Sequence, residues 1–233
     1  MRPILPAFVV AGCSLIFATF PSQTFASSIW MEVGDAGDLP TTAQTPIGMG
    51  ALTTITGQLT GVLPNGSADV FEIYITGGGN FSARAFGTTA PLYVDAQLFL
   101  FDGEGSGVYA NNDVSPPDPF TPGVALLPAN DALTPLVPGR YFLAISAPHF
   151  APVSTNGAIF PCVSCIPGLV GGPTGPGGAL PITGWSDQSF SEGAYAITLT
   201  GVEFPRTNVI PEPTTMLLVG TGFFGLAARR RSK

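Results

Sequence analysis

Asp102-Gly103-Glu104-Gly105-Ser106-Gly107, closed by Asp113, sets side-chain oxygens at positions 1, 3, 5 and 12 of a calcium-loop template and glycine at position 6. Carboxylate and hydroxyl oxygens are hard donors. Without a histidine or cysteine in the run, such a loop suits Ca²⁺ rather than zinc. The plainer reading of the same residues is the tight turn of a β-hairpin, since Asp-Gly is a strong turn dipeptide between the apolar runs Leu98–Phe101 and Gly107–Asn111.

Cys162-Val163-Ser164-Cys165 is the chain's CxxC. A zinc site needs two further ligands, and His149 is the only histidine in the sequence. In an exported protein the pair reads as a local disulfide pinning a Gly/Pro loop, with free thiols as the alternative. A Ser-His-Asp or Cys-His arrangement has only His149 to build on, and neither GxSxG nor HExxH occurs. His149 therefore reads as a loop residue. Two acids for glycoside cleavage can converge from anywhere in the chain, and no spacing favours one pair. Gly220-Thr221-Gly222-Phe223-Phe224-Gly225 matches the dinucleotide fingerprint in letters only, because no acidic residue for a ribose follows it. Trp30, Trp185 and Tyr93 offer stacking faces for sugars or, equally, core packing.

The elements that must position these groups are strands. Phe71, Ile73 and Ile75 alternate with Glu72 and Tyr74, and Tyr141-Leu143-Ile145 and Tyr195-Ile197-Leu199 repeat the period of two. Leu52–Thr60, Asn80–Phe86, Leu98–Phe101 and Gly107–Asn111 complete the set. With 30 glycines, 24 prolines and 45% hydrophobic residues, the composition suits short strands joined by turns around a real core. The expected fold is all-β, a β-sandwich or jelly roll of about seven or eight strands over residues 50–204. Residues 148–187 hold eight glycines and seven prolines and read as a long surface insertion, with Gly157–Phe160 as a short strand of its own.

Charge separates this body from its ends. All 15 acidic residues lie between Glu32 and Glu212, against Arg84, Arg140 and Arg206 in that stretch. Such a surface repels nucleic acid and favours cations. Residues 1–26 read as a signal peptide, from Arg2 through an apolar run to Thr24-Phe25-Ala26. Cys13 also fits a lipoprotein box, but the apolar run continues past it. Residues 27–49 form an acidic N-terminal linker, and 205–213 a second linker ending in Pro211-Glu212-Pro213. Residues 214–233 read as a single transmembrane helix followed by Arg229, Arg230 and Arg231, the arrangement of a cytoplasmic stop. Thr214–Ala228 spans roughly 22 Å as a helix, short of a hydrocarbon core of about 30 Å, which local thinning can accommodate.

The Pro-Glu-Pro triplet, the apolar run and the arginine cluster, in that order, closely resemble the PEP-CTERM sorting signal. The resemblance implies export, processing by the membrane protease exosortase, anchoring by the tail and then display or release at the surface of a bacterium that makes exopolysaccharide. The body resembles the bacterial pre-peptidase C-terminal domain through Ser67–Ile73, Asp95–Asp102, Asn111–Asp113, Leu136–Ile145 and Gly193–Leu199. Ala68 stands where that family usually has a second acid, and the long insertion is atypical. Some members bind Ca²⁺ between an acidic N-terminal linker and the acid that starts an early strand, which here implies Glu32, Asp35, Asp38 and Asp69. Solvated surface acids are the alternative. No cofactor other than Ca²⁺ is suggested. The expected function is that of a non-enzymatic surface or matrix protein, with a calcium-dependent exopolysaccharide-binding module and a hydrolase as rivals.

Overall fold

Period-two patterning fixes which face of each strand is buried, and the two faces of one sheet here meet different neighbours. The computed structural model describes residues 28–60, 68–88, 94–114, 123–162, 166, 168–186 and 192–205. Among them lie the strands β1 Ile29–Met31, β2 Thr54–Leu59, β3 Ala68–Ile75, β4 Ser82–Gly87, β5 Gln97–Phe101, β6 Gly107–Asn111 and β7 Ala125–Leu127. They are followed by β8 Gly139–Ser146, β9 Ala151–Ser154, β10 Gly157–Ala158, β11 Gly184–Ser186, β12 Gly193–Thr200 and β13 Val202–Glu203. No helix occurs among the described residues, so none there could cross a membrane. β2, β3, β4, β5, β6, β8 and β12, the strands of five residues or more, are those that the sequence marks, by alternation or as short runs bounded by turns. The other six have two to four residues, too few to show a period.

Two five-stranded sheets, ordered β1-β2-β12-β4-β7 and β13-β3-β8-β5-β6, close over one core. Ile55 and Leu59 of β2, Tyr195, Ile197 and Leu199 of β12 and Leu127 of β7 meet Phe71, Ile73, Ile75, Leu98, Leu100, Leu143 and Ile145 of the facing sheet. Pairing is antiparallel except between β1 and β2, which run parallel.

All five residues of β5 are buried, although a strand on the outside of a sandwich should expose one face. The cover is the Gly/Pro-rich insertion. Its described part forms a small sheet, β10-β9-β11. This third layer packs Ile159, Phe160, Ile182 and Trp185 on Val70, Phe99, Phe101, Ala110, Phe142 and Ala144 of the outer face. Phe160 lies 5.6 Å from the Phe99 ring and 6.0 Å from that of Phe101. Glycines let the segment press against itself: Gly175, Gly177 and Gly178 lie on the backbone carbonyls of Ala158, Gly157 and Pro173 too closely for a Cβ. Replacing Phe160, 4% exposed, with Ala should therefore cost about 3–5 kcal/mol, read as a lower urea midpoint. A cost below 0.5 kcal/mol, as on an open surface loop, would contradict the third layer.

The acidic N-terminal linker is also tied down. The Val70 amide donates to the Gly37 carbonyl at 2.9 Å, while those of Gln44 and Glu72 donate to Val70 and Gln44 at 2.9 Å each. These bonds hold residues 37–44 along β3, and β1 carries the preceding residues onto β2.

Candidate metal centre

Asp69 breaks the pattern that builds the core. It shares the face of β3 that carries Phe71, Ile73 and Ile75, so the alternation that buries those side chains also buries a carboxylate. Asp69 is 1% exposed. From the opposite sheet, the Tyr195 hydroxyl of β12 donates to Asp69 Oδ2 at 2.7 Å and reaches Glu32 Oε2 at 3.5 Å. Glu32 follows β1, and its carboxylate is fixed at both oxygens. The Ala36 amide donates to Oε1 and the Gln58 amide to Oε2, each at 2.9 Å. Gly57, paired with Tyr195 across β2 and β12, leaves the room: a Cβ there would overlap Glu32 Oε2 and the tyrosine hydroxyl.

Asp35 completes the group. One oxygen each from Glu32, Asp35 and Asp69 lies within 4.8 Å of the others. No arginine answers this charge among the described residues: Arg84 lies over the Phe86 ring, and Arg140 lies over Phe142 while donating to the Gly103 carbonyl. Burial, then the Glu32 carboxylate, push the Asp69 carboxyl up to about 8 despite the tyrosine bond. Glu32 is raised from the ordinary carboxylate range, chiefly by burial, and burial beside the two acids holds Tyr195 well above the usual phenol. Such a group must hold a proton or a cation at neutral pH. Oxygen donors converging from the N-terminal linker and β3 suit Ca²⁺, with water filling the remaining positions.

Of the four acids implied by the resemblance, three converge here. Asp38 lies outside the triad; its backbone carbonyl accepts from Trp185 Nε1 at 2.6 Å, and its charge still bears on Asp69. Asp102, Glu104 and Asp113 do not form one loop. Asp102 Oδ1 accepts from the Glu104 and Ser106 amides at 3.0 and 2.8 Å, and Gly105 takes φ +85°, the geometry of a hairpin turn. Asp113 lies beyond the far end of β6, which at about 3.3 Å per residue puts more than 15 Å between them. Cys162 is disulfide-bonded, with its partner outside the described residues. The signal peptide with Cys13, Tyr93, Cys165 and the sorting tail also lie outside them.

Trp185 stacks on Phe150 at 5.2 Å and meets Phe99 edge-on, so it serves the core of the third layer. Trp30 is half-buried, with its indole nitrogen donating to Gln44 Oε1 at 3.1 Å. Sequence reasoning missed Tyr195 as a site residue. Its one signal was a large polar aromatic in the core-facing phase of a strand, a place that demands a partner for the hydroxyl.

The end of the chain supplies the remaining observation. Residues 209–231 match the PEP-CTERM protein-sorting motif. The motif marks an exported protein that exosortase sorts, anchored in the membrane by its tail before it reaches the surface. No curated protein shows a significant match to the chain.

Proposed function

We propose that the chain is a non-enzymatic surface or extracellular-matrix protein of an exopolysaccharide-producing bacterium, whose exported body takes up calcium at Glu32, Asp35 and Asp69. The observation that carries this reading is the triad of carboxylate oxygens within 4.8 Å, one of them on a residue that is 1% exposed. A buried acid without a basic partner is costly unless a proton or a cation neutralises it. The medium outside a cell supplies calcium, and weak extracellular calcium modules work in that range. The likeness of the body to the pre-peptidase C-terminal domain supports the same choice of metal. A hydrolytic role is disfavoured because Asp69 is closed to substrate and both Glu32 oxygens are held by amides.

One observation favours a calcium-dependent binding module for exopolysaccharide as the second reading. A cleft of about 390 Å³ reaches Glu32 and Tyr195 and is also lined by Thr56, Gln58 and Thr88, hydroxyl and amide groups that suit sugar hydroxyls. An array of polysaccharides probed with the protein in calcium and in EGTA tests it. Binding should rise at least tenfold with calcium, and Asp69→Asn should remove the gain. Equal signals in both arms would leave calcium structural and exclude the polymer reading.

A further inference from the structure

At the open end of the β5–β6 hairpin, the same end of the sheet that carries Asp69, carboxylates from separate segments meet beside a buried carboxamide. Asp95 precedes β5, Asn112 and Asp113 follow β6, and Gly123 leads into β7. A Cβ on Gly123 would overlap Asp113 Oδ1 and Asp95 Oδ1 together, so the two carboxylate oxygens close on the glycine from two sides and lie next to each other. Asp113 is 8% exposed and Asn112 4%. Asn112 Nδ2 donates to Asp113 Oδ2 at 2.6 Å. That bond fixes the orientation of the carboxamide, since its oxygen turned toward Asp113 would face another acceptor.

Two oxygens are left over. Asp95 Oδ1 and Asn112 Oδ1 are buried without a hydrogen-bond partner. Native interiors seldom leave such atoms unsatisfied, and both are acceptors that a cation would satisfy. The surrounding scaffold is fully engaged. Asn111 Nδ2 donates to the Asp113 carbonyl at 3.0 Å and to the Leu169 carbonyl at 2.9 Å, while its Oδ1 accepts from the Leu126 amide at 2.8 Å. The charges that bear on Asp95 are those of Asp113, which opposes its ionisation, and His149, which favours it.

We propose that Asp95, Asp113 and the Asn112 carboxamide oxygen form a second calcium site, separate from Glu32, Asp35 and Asp69. Two carboxylates and one amide oxygen are hard donors, and the short protein ligand set leaves several positions for water. The affinity belongs to the weak extracellular class, with a dissociation constant on the order of 10⁻⁴–10⁻³ M. Gly123 is part of the site because any side chain there would displace both carboxylates. The proposal stands on its own geometry and survives failure of the first site.

Calcium titration calorimetry of the full chain in detergent tests it, with the Glu32→Gln/Asp69→Asn variant used to silence the first group. That variant should still bind one calcium ion. Adding Asp95→Asn and Asp113→Asn should weaken its binding at least tenfold. Both replacements keep shape and relieve repulsion, so the thermal midpoint in chelator should hold or rise. If the quadruple variant fails to fold, Asp113→Asn alone on the silenced background gives the same reading. No calcium uptake by the Glu32→Gln/Asp69→Asn chain, or uptake unchanged by either aspartate replacement, would overturn the site and leave Asp95 and Asp113 as an acid pair sharing a proton.

Discussion

At pH 8 and in the Asp95→Asn/Asp113→Asn background, saturating calcium should raise the thermal midpoint of the exported protein by about 5–10 °C, and adding Asp69→Asn should abolish most of that rise. A ligand at one hundred times its dissociation constant adds about 2.7 kcal/mol to the folded state, and a domain of this size gains about 2–4 °C per kcal/mol. The sign of the pH dependence follows from Asp69. Its carboxyl is raised from 3.8 to about 8 by burial and by Glu32, with Asp35 and Asp38 adding to the effect. A folded state that holds the proton more tightly than the unfolded chain is favoured fully below the unfolded value. It loses that advantage as pH climbs from about 4 to about 8. Without calcium, then, the protein should be more stable at pH 5 than at pH 8. Calcium takes over the proton's task and should flatten that slope. Asp69→Asn, neutral at every pH, should flatten it without metal. Differential scanning calorimetry at pH 5 and pH 8, in calcium and in EGTA, reads all of these effects. A steep slope surviving in Asp69→Asn, or a midpoint indifferent to calcium, would remove the triad as the site.

Deleting Thr214–Lys233 should move nearly all of the protein from the membrane fraction to the soluble exported fraction while its β-sheet signal persists. The core lies between sheets built from the body's own strands, and the last described element docks within it. β13 pairs with β3, and the Phe204 amide donates to the Gly50 carbonyl at 3.0 Å. As a helix at 100° per residue, the tail sequence would put Leu217, Leu218, Val219, Phe223, Phe224 and Leu226 on all sides, the pattern expected of a lipid-facing segment. Replacing Arg229–Arg231 with Ser should release only part of the protein, since it removes the charge lock but keeps the apolar run. Fractionation with circular dichroism on both variants decides the matter. A truncated chain without β signal would make the tail part of the fold.

How much of this was open to sequence reading depends on the range of the forces involved. Period-two alternation and turn-bounded apolar runs are local, and they were enough for the seven longer strands and for the all-β class, while Asp69 entered only through the resemblance and its burial was not foreseen. The Asp102-Gly103 turn was equally local, and its side chain closes the hairpin through backbone amides two and four residues on. The sorting motif was readable because its parts are contiguous at residues 209–231. What the tertiary structure decided were contacts between distant segments. The Tyr195–Asp69 bond spans 126 residues, and no pattern in one strand records its partner in the other sheet. The insertion looked like surface because glycine and proline dominate it. Its few apolar side chains, Ile159, Phe160, Ile182 and Trp185, nevertheless cover the second face of β5. That continuous apolar strand was the local trace of a layer whose identity only packing could supply, since burial on both faces requires a cover but does not say which segment provides it.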